Sequence, residues 1–498
     1  MFLNIDAKDP TALALKDNEG NQITYGELAK EMKRAGEKVV PRSVVFILCK
    51  NTVGAMVGYL SSIEKGAVPL NLSNRIDKEL FSHLMETYFP SYLWVPEEDK
   101  AAYEAMAQEA AGASAKATAG ATAGAMDGTT VKAMEEIDAS YGYVLLKTNN
   151  VPYPLHEDLE FLMTTSGSTG SPKLVRYKKG NLEANAKNVA LAWGWTKEER
   201  PVCDLGMQYT MGLNVINTHL YVGATVLLTN YNLMSADFWD FIKTEKATNF
   251  TGVPFSYEIF FRLHFERMDL PYLTTLSEGG GKLTDKRFKA LAEYAAKTGK
   301  RFVASFGTTE TSARFAMLPA ELALQKIGSI GKAIPEGRMF LVDETGTVLT
   351  DPVAEGELCY EGPNVTMGYA VCKEDLQKED EFKGVFHTGD LARRDEDGCY
   401  YVTGRMSRFL KLLSYRVSLD QAETLIQQAF NIECACSGTD QRMNIYITDG
   451  SKKNEVLEFI AEKTKLYKAL FKVYVVEELL RNDSGKVRYK EMDERYAL

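Results

Sequence analysis

An α/β architecture with largely parallel sheets is predicted by three observations on this 498-residue chain. Short, wholly apolar runs alternate with longer amphipathic stretches through the first two thirds, the rhythm of strands covered by helices on both faces. Apolar residues make up 45% and charged residues 25%, which allows a large core in more than one domain. From about residue 348 the texture turns β-rich, before the chain closes on a small unit of mixed helix and strand.

The elements follow in order. VVFILC (residues 44–49), AVPLNL (67–72), YLWV (92–95), YVLL (143–146) and ATVLL (224–228) read as buried strands. Residues 25–35 and 285–298 carry a helical period. Residues 101–130, rich in Ala, Gly, Ser and Thr, have no recurring bulky apolar position and are expected to be a mobile surface insertion burying little. GELCYEG (356–362), and YYVTG (400–404) after a DEDG turn, belong to a β-rich subdomain. The final unit has a helix over 419–430, a strand over 443–448, a helix over 455–470 and a strand over 472–476. The expected division is a large N-terminal domain, 1–406, and a small, mobile α+β C-terminal domain, 407–498.

Composition narrows the function. A net charge of -10 argues against nucleic acid as a partner, because a phosphate backbone is met by clustered Lys and Arg. The seven cysteines form no C-x-x-C pair or Cys/His array, so structural zinc and a disulfide framework are not expected, and reduced thiols fit a cytoplasmic protein. No basic stretch precedes an apolar run at the N-terminus, and the longest apolar candidate, 213–228, is interrupted by Asn214, Asn217, Thr218 and His219. A soluble protein without a membrane span is expected.

The stretch TTSGSTGSPK (164–173) is the first pointer to chemistry. Small residues that admit an anion, hydroxyls and one lysine follow an apolar run, which suits a loop whose backbone N–H groups cradle phosphate. A flexible Ser/Gly linker has the same composition. The Walker spacing of P-loop kinases is absent, since Ser171 and Pro172 separate Gly170 from Lys173.

Further motifs follow in sequence: ITYGEL (23–28), KGAVPLNL (65–72), EGGGKL (278–283), FGTTE (306–310), GSIGKAIP (328–335), GEL (356–358), HTGDL (387–391), GR (404–405) and RNDSGKVR (481–488). With TTSGSTGSPK, and in this order, the chain resembles the adenylate-forming superfamily, of the acyl-CoA synthetase or acid–thiol ligase type. The resemblance covers nearly the whole chain except 101–130.

The resemblance implies an ATP- and Mg²⁺-dependent activation of a carboxylic acid as acyl-adenylate, then transfer to a thiol. Thr165, Ser166, Gly167, Ser168, Thr169, Gly170 and Lys173 would cradle the β- and γ-phosphates. Thr309 and Glu310 would contact the α-phosphate and hold Mg²⁺, a metal that keeps few carboxylate ligands. Phe306, where the family more often has Tyr, would stack on adenine beside Gly307 and Thr308, with Gly279, Gly280 and Gly281 on the other side. Asp390 would bind the ribose hydroxyls and Arg405 a ribose or phosphate oxygen. Lys486 would enter the site as a compact cation between carboxylate and α-phosphate. His387 is not assigned a catalytic part. Taken singly, each residue also has a plain structural reading: Glu310 as a carboxylate at a helix N-terminus, Asp390 as a turn residue, Lys486 as one surface lysine among many.

Departures from the family pattern bear on the second half-reaction. Ser407 and Arg408 stand at the hinge after G-R-x, where relatives usually carry an acidic residue or Lys. Ser414 replaces a frequent Gly in the loop expected to line the pantetheine tunnel. Gln208 and Tyr209 replace an aromatic–His pair. Tyr209, Met211, Gly212 and Val253 would line the acid pocket, whose apolar character suggests a fatty or aromatic acid. CoA is the expected acceptor, with the phosphopantetheine of a separate acyl carrier protein as the alternative. A non-catalytic nucleotide-binding protein on the same scaffold is the reading from another class.

Overall fold

The structure, a computed structural model, describes residues 1–119, 134–164, 173–413, 415–482 and 485–497. All six residues of the strand Val44–Cys49 are buried. Parallel neighbours, Val68–Ser73 and Tyr92–Pro96, pair with its two edges. Its alternate residues enter two different cores, Val45 and Ile47 on one face and Phe46 and Leu48 on the other. Apolar side chains on both faces are what a strand between two helical layers requires.

That strand lies inside an eight-stranded sheet ordered Tyr369–Ala370, Leu174–Lys178, Leu159–Thr164, Val68–Ser73, Val44–Cys49, Tyr92–Pro96, Tyr143–Lys147 and Glu135–Ser140. A nine-stranded sheet runs Lys332–Ala333, Ala313–Leu318, Arg301–Thr308, Thr275–Glu278, Asn249–Gly252, Pro201–Cys203, Val226–Leu228, Leu13–Asp17 and Gln22–Thr24. Both are parallel at their centres, and antiparallel hairpins finish their edges. Arg338–Val342, Ala354–Glu361, Val385–Arg394 and Tyr400–Arg405 form a four-stranded antiparallel sheet, the β-rich part read from the sequence. The small α+β unit has its own core, running from Leu410 to Val473, with Leu419–Phe430 and Lys453–Thr464 packed on the three-stranded sheet Cys434–Thr439, Arg442–Ile447 and Phe471–Val475.

Several of the motifs serve this fold rather than a ligand. In ITYGEL, Thr24 caps the helix Tyr25–Gly36 and Glu27 reaches back to the Thr24 N–H at 2.9 Å, a capping box. Tyr25 Oη donates to the Ala224 carbonyl at 2.6 Å. In KGAVPLNL, Gly66 adopts φ 76° to end the helix Val53–Lys65 before the next strand begins. In GSIGKAIP, Gly331 has φ 78°, and an added Cβ would stand 1.9 Å from the Met317 carbonyl oxygen.

Two expectations are corrected. Residues 101–119 lie in a helix, Lys100–Ala119, instead of a loose insertion, and Tyr103, Ala107 and Ala110 are buried in the core below it; residues 120–130 lie outside the described residues. Small residues made this helix hard to see, since alanine packs without giving a bulky period. The helix expected over 455–470 ends at Thr464, where Lys465 takes φ 56°, and a short 3₁₀ turn, Lys468–Leu470, precedes the last strand. No glycine marks that stop.

Candidate functional site

The FGTTE segment ends the strand Arg301–Thr308 and turns back into Ala313–Leu318. Thr309–Thr311 is a single 3₁₀ turn, so Glu310 is not at the start of a helix. The turn closes through two residues of positive φ, Ser312 at 60° and Ala313 at 124°, a strained path for side-chain-bearing residues. Surrounding groups hold it: Asn364 Nδ2 donates to the Thr311 carbonyl at 2.7 Å, Ser312 Oγ to the Asn364 carbonyl at 2.8 Å, and Thr366 N–H to the Glu310 carbonyl at 2.9 Å. Tyr360 Oη fixes Asn364 from behind at 2.8 Å.

Gly307 is explained by this hairpin. A register shift falls between Phe306 and Gly307, and a Cβ on Gly307 would lie 1.5 Å from the Ala313 carbonyl oxygen. Gly307→Ala is therefore expected to cost about 3 kcal/mol and to lower the melting midpoint along with activity. An unchanged midpoint would show that the turn can relax.

Glu310 Oε1 accepts a hydrogen bond from Tyr369 Oη at 2.7 Å, and the Lys173 ammonium stands 3.6 Å over the Tyr369 ring. One tyrosine thus places an acid and a cation on either side of itself. Tyr177 Oη, on the strand that begins just after Lys173, donates to the Thr309 carbonyl at 2.9 Å. Arg176 is buried and clamps the neighbouring chain through the Met367, Tyr369 and Glu379 carbonyls and the Glu381 carboxylate at 2.8 Å. None of Tyr369, Tyr177 and Arg176 stood out in the sequence. Thr165, Ser166, Gly167, Ser168, Thr169 and Gly170 of the phosphate-loop motif lie outside the described residues, as does Ser414.

Asp390 is almost wholly buried, and Arg405 Nε meets its Oδ1 at 3.0 Å. Burial pushes the Asp390 carboxyl up to about 6, with the Arg405 guanidinium opposing and the Asp420 carboxylate adding. Lys486 arrives from the far end of the chain. Its side chain is exposed. Burial and then Arg405 lower its pKa, while the Glu310 and Asp390 carboxylates pull it up. Gly485, at φ 77°, presses against Phe255 at the start of the helix Pro254–Arg262, so that a Cβ there would be 3.0 Å from the Phe255 Cβ. The structure thus brings Glu310, Asp390, Arg405 and Lys486 into one electrostatic neighbourhood.

The triple glycine follows the strand Thr275–Glu278. A Cβ on Gly279 would meet Met211 Cε at 2.5 Å, one on Gly280 Val253 Cγ1 at 3.2 Å, and one on Gly281 Pro254 Cγ at 2.9 Å. Met211, Val253 and the glycines therefore touch. Gly212 lets its helix, Thr210–Val222, approach the Leu205 carbonyl, and Tyr209 stands immediately before that helix. Phe306 is half-buried, edge-on to Phe315 at 5.4 Å. Thr308 shares a hydrogen bond with Thr311 at 3.2 Å. Behind these residues the protein is not purely apolar, since Glu278 and Arg314 are buried there.

Ser407, expected at a hinge, is exposed in a turn. Arg408 is tied into the small unit, through Glu423 at 2.8 Å, the Cys436 carbonyl at 2.7 Å, the Asp420 carboxylate and Tyr489. His387 pairs with Glu357 at 3.1 Å, beside the buried Cys359.

Two mainly parallel sheets, a β-rich antiparallel sheet and a small α+β unit make up a mixed α/β protein. Comparison makes the class specific. The family described as AMP-binding enzyme matches residues 4–370. The chain is 25% identical to the oxalate–CoA ligase of Arabidopsis thaliana, over 97% of this chain and 96% of that protein. It is 30% identical to a 2-succinylbenzoate–CoA ligase of Bacillus cereus, over 66% of this chain and 69% of that protein. Among solved structures, the O-succinylbenzoate coenzyme A synthetase of Bacillus subtilis in complex with AMP superposes with a TM-score of 0.76 at 21% identity, covering 98% and 97% of the two chains. ATP-bound MatB from Rhodopseudomonas palustris gives 0.75 at 22%, covering 99% of each. The chain belongs to the AMP-binding enzyme family.

Proposed function

We propose that this enzyme joins a carboxylic acid to the α-phosphate of ATP and then passes the acyl group to the thiol of CoA. The observation that carries this reading is the family match over residues 4–370, with the Asp390–Arg405 pair at 3.0 Å and Lys486 and Glu310 within electrostatic influence of one another. The named activities of the oxalate–CoA and 2-succinylbenzoate–CoA ligases support it.

A carboxylate oxygen attacks the α-phosphorus, the bond to the bridging oxygen of the β-phosphate breaks, and pyrophosphate leaves. Two anions must meet, so the residues act by position and charge. Lys486 neutralises the carboxylate and α-phosphate oxygens as they approach. Thr309 orients the α-phosphate, and Lys173, braced on Tyr369, faces the outer phosphates with the 165–170 loop. Glu310, oriented by Tyr369, would hold Mg²⁺, which supplies further neutralisation of phosphate charge when bound. Asp390 and Arg405 hold the ribose side, with Phe306 and Gly279–Gly281 enclosing the adenine. In the second step the thiolate attacks the acyl carbon and AMP leaves. The division at residues 406 and 407 belongs to this proposal, with the exposed turn at Ser407 as the pivot and Arg408 as the anchor that makes the small unit move as one body.

Pyrophosphate release across a panel of acids, with and without CoA, tests the reading. Turnover that needs CoA supports it. Slow release indifferent to CoA would assign the acceptor to a phosphopantetheine-bearing acyl carrier protein. ATP binding with no release for any acid would leave a non-catalytic nucleotide-binding protein. We place the enzyme in the cytoplasm, which suits seven free thiols. Among the described residues no helix is long and apolar enough to cross a membrane.

Asp390→Ala is expected to raise the apparent KM for ATP by about tenfold, one lost charged hydrogen-bonding partner. Because its carboxyl titrates near 6, the wild-type KM for ATP should rise as pH falls through that value, and Asp390→Asn should flatten the profile. The linked stability has the opposite sense: it is fully present below the ordinary carboxylate pKa and is lost as pH rises through about 6. An unchanged KM would remove Asp390 from the nucleotide site.

A further inference from the structure

The four-stranded antiparallel sheet brings three metal-ligating side chains to one point. Among the described residues, the ligand atoms of Glu357, Cys359 and His387 all lie within 4.8 Å of one another. Cys359 and His387 face each other across the strands Ala354–Glu361 and Val385–Arg394. Their Sγ and Nδ1 atoms are 3.3 Å apart. Glu357, on the same strand as Cys359, places its Oε2 3.1 Å from that same Nδ1.

The shared nitrogen decides between readings. A nucleophile–imidazole–acid relay needs the thiol on one ring nitrogen and the carboxylate on the other. Here both converge on Nδ1, and Cys359 is buried, so no relay is formed. An ion pair between His387 and Glu357 accounts for one contact but not for the thiol that completes the group. Around a tetrahedral ion with metal–nitrogen bonds of about 2.0 Å and metal–sulfur bonds of about 2.3 Å, neighbouring ligand atoms stand roughly 3.2–3.6 Å apart. The observed 3.1 and 3.3 Å lie close to that shell.

The surroundings support the group. Glu357 Oε1 accepts from the Gly389 N–H at 3.2 Å, which leaves Oε2 directed at His387. A ligating carboxylate is ordinarily steadied by such an outer hydrogen bond. Gly389 takes φ 69° where the register of the two strands shifts, and Thr388 Oγ1 pins the bend by donating to the Leu358 carbonyl at 2.8 Å. Cys359 packs in a small apolar patch with Phe340, Val342 and Val385, while the exposed His387 leaves a path from solvent. Cys359 and His387 are 28 residues apart in the chain, so no cysteine spacing announces them.

We propose that Glu357, Cys359 and His387 form a binding site for one divalent transition-metal ion of the zinc class, with water as its fourth ligand. On binding, the Cys359 S–H bond breaks and its proton passes to water, so that the thiolate is the ligand. One thiolate, one imidazole and one carboxylate favour zinc over Mg²⁺, which takes oxygen ligands. The ion is therefore distinct from the Mg²⁺ proposed at Glu310.

Co²⁺, a visible stand-in for Zn²⁺, would be titrated into the full chain after chelator treatment and followed by absorption. The expected result is one ion per chain with a thiolate-to-cobalt charge-transfer band, displaced by Zn²⁺ and not by a large excess of Mg²⁺. Cys359→Ala should remove the band. Outer hydrogen-bonding partners alone are worth about 10–100-fold in affinity, so His387→Ala, at an exposed position, should weaken Zn²⁺ binding by about 10²-fold or more. Its melting midpoint without metal should stay close to that of the parent. Absence of the band in the wild type would overturn the inference, as would a band that survives in folded Cys359→Ala or an affinity unmoved in His387→Ala. Should Cys359→Ala fail to fold, the wild-type band and His387→Ala still decide. None of these readouts uses turnover, so a negative result here leaves adenylation standing, and a failure of adenylation leaves this site standing.

Discussion

Replacing Lys486 by alanine should lower pyrophosphate release by about 10²–10³-fold while ATP binding and the melting midpoint stay close to those of the parent. The lysine is held in the cleft by its backbone: Lys486 N–H donates to Asn482 Oδ1 at 2.9 Å, and the Asn482 N–H to the Lys486 carbonyl at 2.9 Å. Both bonds are made by the Lys486 backbone, so shortening the side chain does not remove them. Glu310 and Asp390 favour its charged form, while burial and Arg405 oppose it. Lys486→Arg should not restore the rate, because a planar fork cannot take the position of a compact ammonium. Nucleotide binding measured by calorimetry separates the two roles. A loss of affinity as large as the loss of rate would assign Lys486 to holding ATP instead.

Glu310→Gln should lower kcat/KM by about 10²-fold and move the Mg²⁺ requirement to higher concentration. Glutamine keeps an acceptor for Tyr369 Oη, which now donates to Glu310 Oε1 at 2.7 Å, so geometry survives and only charge is lost. The turn itself is secured through backbone carbonyls and Asn364, and the melting midpoint should hold. A rate and Mg²⁺ dependence equal to those of the parent would show that Glu310 serves the turn and not the metal.

These expectations depend unevenly on what could be read in advance. The strands were legible because a segment buried on both faces must be apolar at every position, as Val44–Cys49 is. The helix Asp285–Thr298 was legible because one buried face imposes its period. Motifs were legible as positions, yet several turned out to encode the scaffold: ITYGEL is a helix cap and Gly307 a concession to the Ala313 carbonyl. The helix Lys100–Ala119 was missed because alanine buries without announcing a period.

By itself, then, the sequence determined the fold class, the order of its parts and which titratable residues the chemistry could draw on, since these follow from local pattern and short-range spacing. Only the tertiary structure decided which residues become neighbours. Tyr369 stands between Lys173 and Glu310, Asp390 faces Arg405 in a buried place, and Arg314 is closed in by Asn214, Thr251 and Ser277. Each of these groupings joins segments distant in the chain or facing each other across a sheet. The burial that shifts Asp390 is a property of the packed interior, which no window of sequence contains.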